Sequence, residues 1–261
     1  MASGLNAASS TKANFFLLMR EHPRGGIASP TLLNLTLSGL EAKIASVTQP
    51  SDMVHLVVYA DDFVVSGKSK EILEETVKPA IVEFLKERGL TLSDEKTVIT
   101  SIDKGFDFLG HNIRKYSGKL LIKPSKKNVQ TFLRKIREAI KTHRTTKTEN
   151  LIRILNPKIM GWGNYFRHVV AKETFGYVDY HIFWATWAWA IRRHPNQSKQ
   201  WIWDKYFLSP TKKGVLSTRL CVDGKSVTLT LAKASTIPIR RHIKIKAEAN
   251  MFDDYARIKF R

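Results

Sequence analysis

The apolar and polar positions predict strands in the first part of the chain and helices further on. Residues 54–58 and 63–65 form two mainly apolar runs that are rich in valine, which favours β-strands. Between them lies Tyr59-Ala60-Asp61-Asp62. The pattern therefore predicts a tight hairpin that carries two adjacent carboxylates at its tip.

Helical spacing dominates the rest of the pattern. Residues 69–88 should form a helix that Pro79 kinks and Gly89 ends. Ser125 should cap a second helix, and Asn156-Pro157 should break the helical stretch that follows and begin a new helix. The second helix is predicted to have basic residues around an apolar face of Val129, Phe132, Leu133, Ile136 and Ile140.

Shorter patterns complete an α+β fold class. Apolar positions 33, 37, 40 and 44, after Ser29-Pro30, predict another helix. Asp223-Gly224 between two strand-like runs predicts a second hairpin. Residues 1–22 are expected to be a disordered leader. We expect a helical bundle to bury Trp184, Trp187 and Trp189.

The charge is unevenly distributed and indicates a polyanionic partner. The 261 residues carry a formal net charge of +20. Residues 1–110 contain 11 basic and 14 acidic side chains, whereas residues 111–261 contain 32 and 9. Nucleic acid is the expected partner of the second half. A basic membrane-surface protein is the alternative, but the basic residues are spread over several elements rather than one amphipathic helix.

Composition excludes several other classes. The single cysteine, Cys221, excludes a disulfide framework and a Cys-x-x-Cys zinc site, and it fits a reducing compartment inside the cell. No apolar run approaches the roughly 20 residues that a membrane span needs.

The acidic pair suggests a metal site. Adjacent carboxylates between apolar strands repel each other unless a cation lies beside them. Mg²⁺ prefers oxygen ligands, which two aspartates supply. An exposed acidic turn is the plain alternative, but we favour Mg²⁺ at Asp61 and Asp62.

Tyr59-Ala60-Asp61-Asp62 resembles the palm motif of reverse transcriptases, in the form typical of group II intron-encoded proteins. The resemblance implies that Asp61 and Asp62 are catalytic and bind Mg²⁺, and that Tyr59 and Ala60 contact the nucleotide. It extends roughly from Pro23 to Lys246, with further motifs in the family's order.

Three further motifs flank the acidic pair. Residues 23–30 resemble the loop of the nucleotide and template pocket, which implies binding by Gly25, Gly26 and Arg24, where the family usually has Gln. Residues 89–97 resemble a motif whose Lys96 would contact the triphosphate or protonate pyrophosphate. Residues 106–110 resemble the primer grip, with at least one phenylalanine expected in the core. The implied grip residues are Phe106, Phe108, Leu109 and Gly110.

The basic half resembles the thumb and maturase domain of the same family. The helix after Ser125 would lie against a nucleic-acid backbone, and residues 157–168 resemble the maturase signature. Aromatic and basic side chains together suit RNA. The implied RNA contacts are Lys126, Lys127, Arg134, Lys135, Tyr165, Arg167 and His168.

The expected domains are the leader (1–22), a partial palm (23–122), a thumb and maturase domain (123–208), and a β-hairpin with a basic tail (209–261). The family's earlier catalytic aspartate has no counterpart among residues 1–22, where Glu21 is the single acid. We therefore expect a fragment that lacks the fingers, the first catalytic aspartate and a nuclease module.

The resemblance implies an RNA-directed DNA polymerase that uses Mg²⁺, deoxynucleotide triphosphates, an RNA template and a DNA primer. It also implies binding to intron RNA and assistance in splicing. The alternatives are a splicing maturase without polymerase activity and an inactive remnant. A separate chain could supply the missing amino-terminal part. The expected location is the bacterial cytoplasm rather than an organelle, with no membrane partner.

Overall fold

The computed structural model describes residues 14–18, 35–59, 62–92, 97–208, 214–222 and 224–240. These residues form helices and small antiparallel sheets, which confirms the α+β class. The chain divides into two compact units. The first contains Met1–Phe106 and Ile113–Leu120, and the second contains Asp107–Asn112 and Leu121–Arg261.

The first unit is built on a four-stranded sheet. Its strand order is β2-β3-β1-β4, and every neighbouring pair is antiparallel. With a helix after β1 and another after β3, this is a split β-α-β arrangement. The elements are β1 (Asn14–Leu18), α1 (Leu40–Val47), β2 (His55–Tyr59), β3 (Asp62–Gly67), α2 (Lys78–Lys86) and β4 (Val98–Ser101).

Strand β1 corrects the expectation of a disordered leader. Asn14–Leu18 pairs with β3 on one side, where Phe16 lies opposite Val65, and with β4 on the other, where Phe16 lies opposite Ile99. The strand therefore occupies an inner position of the sheet. Uncharged, aromatic and apolar residues in this segment suit such a position because a central strand has neighbours on both edges.

The core of the first unit lies between the sheet and its helices. Strand β3 buries three successive residues, Phe63, Val64 and Val65. Leu40 and Ile44 are buried on α1, as the spacing predicted, but this helix begins after an interruption at Ser38-Gly39 and is not continuous from Pro30. Position 33 lies outside the described residues. The remaining buried members are Leu73, Val77, Ile81, Phe84 and Leu85.

The predicted distortion at Pro79 takes a specific form. Ile72–Val77 is a π-helical turn, in which the N–H of Lys78 donates to the carbonyl of Leu73, five residues back. Helix α2 then starts at Lys78 with Pro79 in its first turn. The wider turn accommodates the proline because a regular α-helix would press the proline ring against a carbonyl of the preceding turn.

The second unit is mainly helical. Within the described residues, four helices and a hairpin pack around one apolar core: each helix contributes buried residues, and the hairpin contributes the partly buried Leu229. Ser125 caps the first helix, since its Oγ accepts a hydrogen bond from the Asn128 N–H at 3.2 Å. The elements are α3 (Lys126–Thr142), α4 (Thr148–Phe166), α5 (Lys172–Arg193), α6 (Lys199–Tyr206), β8 (Ser217–Val222) and β9 (Lys225–Thr230).

A three-stranded sheet precedes α3 in the chain. Its order is β5-β6-β7, with β5 at Phe106–Phe108, β6 at His111–Tyr116 and β7 at Lys119–Pro124. The predicted second hairpin is confirmed, because Val222 of β8 lies opposite Lys225 of β9.

Helix α4 corrects the predicted break at Asn156-Pro157, because it runs through both residues. The Asn156 side chain does not cap a helix. Its Nδ2 donates to the Thr230 carbonyl at 3.1 Å, and its Oδ1 accepts from the Ala232 N–H at 2.7 Å. Pro157 lies on the exposed side of the helix, where water can reach the carbonyl that lacks a helical donor.

The three tryptophans of α5 differ in burial. Trp189 is buried, and Trp187 packs against the core while remaining partly accessible. Trp184 is 48% exposed, so the prediction that all three lie in a core is wrong for this residue. No helix within the described residues is long and apolar enough to cross a bilayer.

Candidate catalytic hairpin and nucleic-acid interface

The predicted acidic hairpin is present in the first unit. Tyr59, the last residue of β2, lies opposite Asp62, the first residue of β3, so a two-residue connection joins the strands. The Asp62 side chain is half-buried, and the Tyr59 side chain is 62% exposed. Strand β2 is an edge strand, which leaves Val57 and Val58 accessible as well. An aspartate and an accessible tyrosine therefore share the tip of the hairpin.

Several predicted site residues lie outside the described part of the chain. This holds for Asp61 and Ala60 in the hairpin connection, and for Lys96. It also holds for the loop residues Arg24, Gly25 and Gly26. Within the described residues, no three His, Cys, Asp or Glu side chains form a group that could hold a metal ion. Strand β1, the other neighbour of β3, has no acidic residue.

The predicted primer-grip segment is a tight hairpin between β5 and β6. Leu109 and Gly110 connect the strands, with φ angles of 49° and 76°. Positive φ at both central residues is the hallmark of a type I′ turn, which matches the twist of the flanking strands. Phe106 is buried, which confirms that at least one of the two phenylalanines is a core residue, while Phe108 is half-buried.

The tip of this hairpin belongs to the second unit and is hydrogen-bonded within it to Tyr165 of α4, to His111 of β6 and to Ser125, the N-cap residue of α3. The Leu109 carbonyl accepts a hydrogen bond from the Tyr165 hydroxyl at 2.9 Å and another from His111 Nδ1 at 3.0 Å. The Gly110 carbonyl accepts from the Ser125 N–H at 2.9 Å. Both turn carbonyls are therefore satisfied by named donors, which fixes the position of the turn.

The same turn packs on Asn128, whose side chain is hydrogen-bonded to Trp162. The Trp162 Nε1–H donates to the Asn128 Oδ1 at 2.9 Å, and the Trp162 ring stacks on Phe132 with centroids 4.7 Å apart. A Cβ atom added at Gly110 would lie 2.8 Å from the Asn128 Nδ2. The turn therefore packs directly on an amide whose orientation the Trp162 indole sets.

His111 is the titratable group of this cluster. Its ring packs against Tyr165 and Phe166, with centroids 5.2 and 4.9 Å away. Burial lowers the pKa of His111 from its ordinary value, while the hydrogen bond to the Leu109 carbonyl opposes this effect. The imidazole is therefore favoured in its neutral form in the folded protein.

Helix α3 separates apolar from basic side chains. The predicted apolar face is confirmed, because all five of its members are buried. The other faces carry six exposed cations, and Glu138 is the single acid of the helix. Such a face attracts phosphates. The exposed cations are Lys126, Lys127, Arg134, Lys135, Arg137 and Lys141.

The maturase-like block makes contacts within the protein. The Tyr165 ring lies edge-on to Phe166 at 4.8 Å, yet 53% of the Tyr165 side chain is exposed. His168 Nδ1 donates to the Arg240 carbonyl at 2.8 Å, and the Arg240 N–H donates to the Arg167 carbonyl at 2.9 Å. These contacts hold the segment that follows Ile237, and they leave the predicted RNA contacts of the three residues as proposals.

Sequence reasoning missed an aromatic row on α5. Tyr177, Tyr180 and Trp184 are 54%, 59% and 48% exposed. Their spacing of three and four residues places them on one side of the helix. Val178 and Ile182 are buried on the other side. The signal was available, because a helical projection separates the row from the buried positions.

Comparison with known families defines the class of protein. Residues 5–113 match the model of the Reverse transcriptase (RNA-dependent DNA polymerase) family. Residues 129–207 match the model of the Group II intron, maturase-specific domain. No curated protein matches the chain. The first match begins inside the segment that was expected to be a leader, in agreement with the presence of β1.

The two matches describe a polymerase-type domain followed by an RNA-processing domain. The chain belongs to the reverse transcriptase/maturase proteins of group II introns, as the sequence motifs implied. By family it is an RNA-directed DNA polymerase, and its partners are nucleic acids.

Proposed function

We propose that the second unit binds structured intron RNA and assists splicing, and that the first unit is the palm, which binds Mg²⁺ and nucleotides. In this assignment α3 is the thumb helix. The observation that carries the RNA proposal is the division of α3 into a fully buried apolar face and six exposed cations. The cations lie on a helix fixed by its own core, so their spacing can match phosphates along a backbone.

The palm assignment rests on the acidic hairpin. Mg²⁺ in nucleotide-handling sites is held by one or two carboxylates together with phosphate oxygens of the substrate. Asp61 and Asp62 would provide this donor set: Asp62 begins β3 opposite Tyr59, and Asp61 precedes it directly in the sequence. When bound there, the ion would offset charge on a deoxynucleotide triphosphate and on the attacking primer hydroxyl. The exposed Tyr59 side chain would contact the nucleotide.

A second candidate, a splicing maturase without polymerase activity, is favoured by one observation. Phosphodiester formation by two metals needs ligands around both the attacking and the leaving oxygen. The strand next to β3 is β1, whose five residues include no acid. We therefore expect this polypeptide to bind Mg²⁺ weakly and to leave an RNA-templated DNA primer unextended.

The test combines RNA binding with metal binding on the full chain. A self-splicing group II intron RNA is titrated with the parent and with D61N/D62N, and Mn²⁺ binding is followed by electron paramagnetic resonance. Both proteins should bind the RNA equally, because the aspartates lie outside the basic unit. Only the parent should bind Mn²⁺. Failure of the parent to bind the RNA would refute the RNA proposal.

Primer extension separates the two candidates. The parent and D61N/D62N are incubated with Mg²⁺, deoxynucleotide triphosphates, and a DNA primer on an RNA template. We expect equal, background extension. Extension by the parent that D61N/D62N lacks would contradict the second candidate, and would mean that another acid completes the metal site.

A further inference from the structure

A cleft separates the carboxyl-terminal half of α3 from the exposed side of α5. It has a volume of about 450 Å³, and Ile140 and Ala185 contribute apolar surface to it. Among the described residues that line it, none is acidic. Its polar and aromatic lining consists of Arg137, Lys141, Arg144, Arg192, His181 and Trp184.

Trp184 offers the cleft an accessible aromatic side chain. The residue is 48% exposed. Its ring meets Tyr180 and Phe183 at steep angles of 72° and 73°, with centroids 6.1 and 5.3 Å apart. Neither neighbour is stacked on the indole, so neither occupies the position that a planar ligand would take. A tryptophan among four cations is a suitable site for an aromatic anion.

The loop that carries Arg144 is held in place by α5. The Trp189 Nε1–H donates to the His143 carbonyl at 3.3 Å. The Arg193 guanidinium donates to the Thr146 carbonyl at 2.7 Å and to the Arg144 carbonyl at 3.3 Å. The backbone of Arg144 is therefore fixed before a ligand binds, which lowers the entropy lost on binding.

The cationic surface continues past this loop. A neighbouring cleft of about 560 Å³ shares Ile140, Arg144 and Arg192 with the first one. It adds Arg193 and His194 to the lining. A ligand with several phosphates in a row, rather than a single anion, fits this extended arrangement.

We infer that the cleft binds an unpaired RNA nucleotide, with its base stacked on Trp184 and its flanking phosphates at Arg137, Lys141, Arg144 and Arg192. The inference deepens the proposed RNA-binding function and rests on it. Unpaired bases in loops and bulges stack on aromatic rings, while duplex RNA keeps its bases inside the helix. The charges attract the backbone, and the indole distinguishes an unpaired nucleotide from a paired one.

The test uses two RNA hairpins that differ by one bulged nucleotide, which is 2-aminopurine. Stacking quenches this fluorophore, so fluorescence reports contact with an aromatic ring. The parent and W184F should quench it. W184L, which keeps an apolar side chain without a ring, should bind the bulged hairpin about 5- to 100-fold more weakly. Its affinity for the fully paired hairpin should equal that of the parent.

Two double variants test the contribution of charge, one in the cleft and a matched control outside it. R137A/K141A removes two cations of the cleft, whereas R219A/K225A removes two exposed cations of β8 and β9. The first variant should weaken binding of both hairpins. It should also lower the slope of log affinity against log salt by about two, one for each lost phosphate contact. The second should leave the quenching of 2-aminopurine unchanged.

The outcomes separate this inference from the broader proposal. If the parent binds neither hairpin, the RNA-binding function itself is wrong. If the parent binds both but W184L binds the bulged hairpin like the parent, only the assignment of the cleft is overturned. If W184L binds both hairpins equally more weakly than the parent, or if a lowered melting temperature of the variant accounts for the loss, Trp184 has a structural role. Either result would also overturn the assignment of the cleft. Binding of an acidic peptide in place of RNA would have the same consequence.

Discussion

The hydroxyl of Tyr165 donates a hydrogen bond of 2.9 Å to the carbonyl oxygen of Leu109, 56 residues earlier in the chain. This contact joins the end of α4 to the turn between β5 and β6. Tyr165 was expected to contact RNA, and Leu109 was expected to belong to the primer grip. The contact therefore connects two segments to which the family resemblance gives separate nucleic-acid roles.

Replacing Tyr165 by Phe should lower the free energy of unfolding by about 0.5–1.5 kcal/mol, the usual net value of one hydrogen bond. The ring and its packing on Phe166 remain in this variant. Chemical denaturation measures the loss. Tyr177→Phe is the matched control, since Tyr177 is equally exposed and no hydrogen bond to its hydroxyl is found within the described residues. Equal stability changes in the two variants would contradict an anchoring role for Tyr165.

The two glycines of α4 should respond in opposite directions to alanine. Gly161 has open space where a Cβ would lie, so Gly161→Ala should stabilise the helix by up to about 1 kcal/mol. A Cβ at Gly163 would collide with the Cδ1 of the buried Ile237. Gly163→Ala should therefore be about 1–3 kcal/mol less stable than Gly161→Ala.

The Cδ1 methyl of Ile237 can be removed to check the cause. Ile237→Val deletes this atom and should by itself cost about 0.5–1.5 kcal/mol. In the Gly163→Ala background the same change should cost less, because it relieves the collision. Strictly additive free energies of unfolding in this double-mutant cycle would show that the collision is absent.

His111 should make stability depend on pH. Burial lowers the pKa of His111 below its ordinary value of 6.5. The unfolded chain therefore takes up a proton at higher pH than the folded chain. The contribution of His111 to the free energy of unfolding is complete above its ordinary pKa, and it is lost as the pH falls towards the pKa of the folded state. Unfolding free energies at about pH 7.5 and about pH 5 measure the loss, which should be smaller in His111→Gln. An unchanged loss in this variant would locate the effect elsewhere.

The basic face of α3 should set the salt dependence of RNA binding. Replacing Lys126, Lys127, Arg134 and Lys135 by Ala should lower the slope of log affinity against log salt by up to about four, about one for each lost phosphate contact. Filter binding of a group II intron RNA at several salt concentrations measures this slope. The matched variant replaces four exposed cations on other elements, Lys158, Lys199, Arg219 and Lys225.

Tyr165→Ala distinguishes stacking from charge in the same assay. If Tyr165 contacts a base, this variant should weaken binding without changing the slope, because a stacked ring releases no counterions.

The thumb-helix assignment is wrong if the α3 variant keeps the affinity and slope of the parent. It is also wrong if the matched variant lowers both to the same extent.

The sequence by itself determined the elements that are formed by contacts between residues near each other in the chain. Valine-rich runs on both sides of Tyr59 and Asp62 sufficed to predict the β2-β3 hairpin, because its two strands pair across two residues. The apolar positions from Val129 to Ile140 predicted the buried face of α3. The family motifs likewise identified the class of protein, because each one is a short continuous segment.

Only the tertiary structure decided features that depend on residues far apart. The place of β1 between β3 and β4 requires pairing with strands about fifty and eighty residues away, which no local pattern encodes. Asn156 was expected to cap a helix, but its side chain binds the backbone at Thr230 and Ala232, and α4 continues. Trp184 and Trp189 have the same side chain on the same helix, yet one is accessible and the other buried. The difference arises because a helix has several faces, and the packing of its neighbours decides which of them is covered.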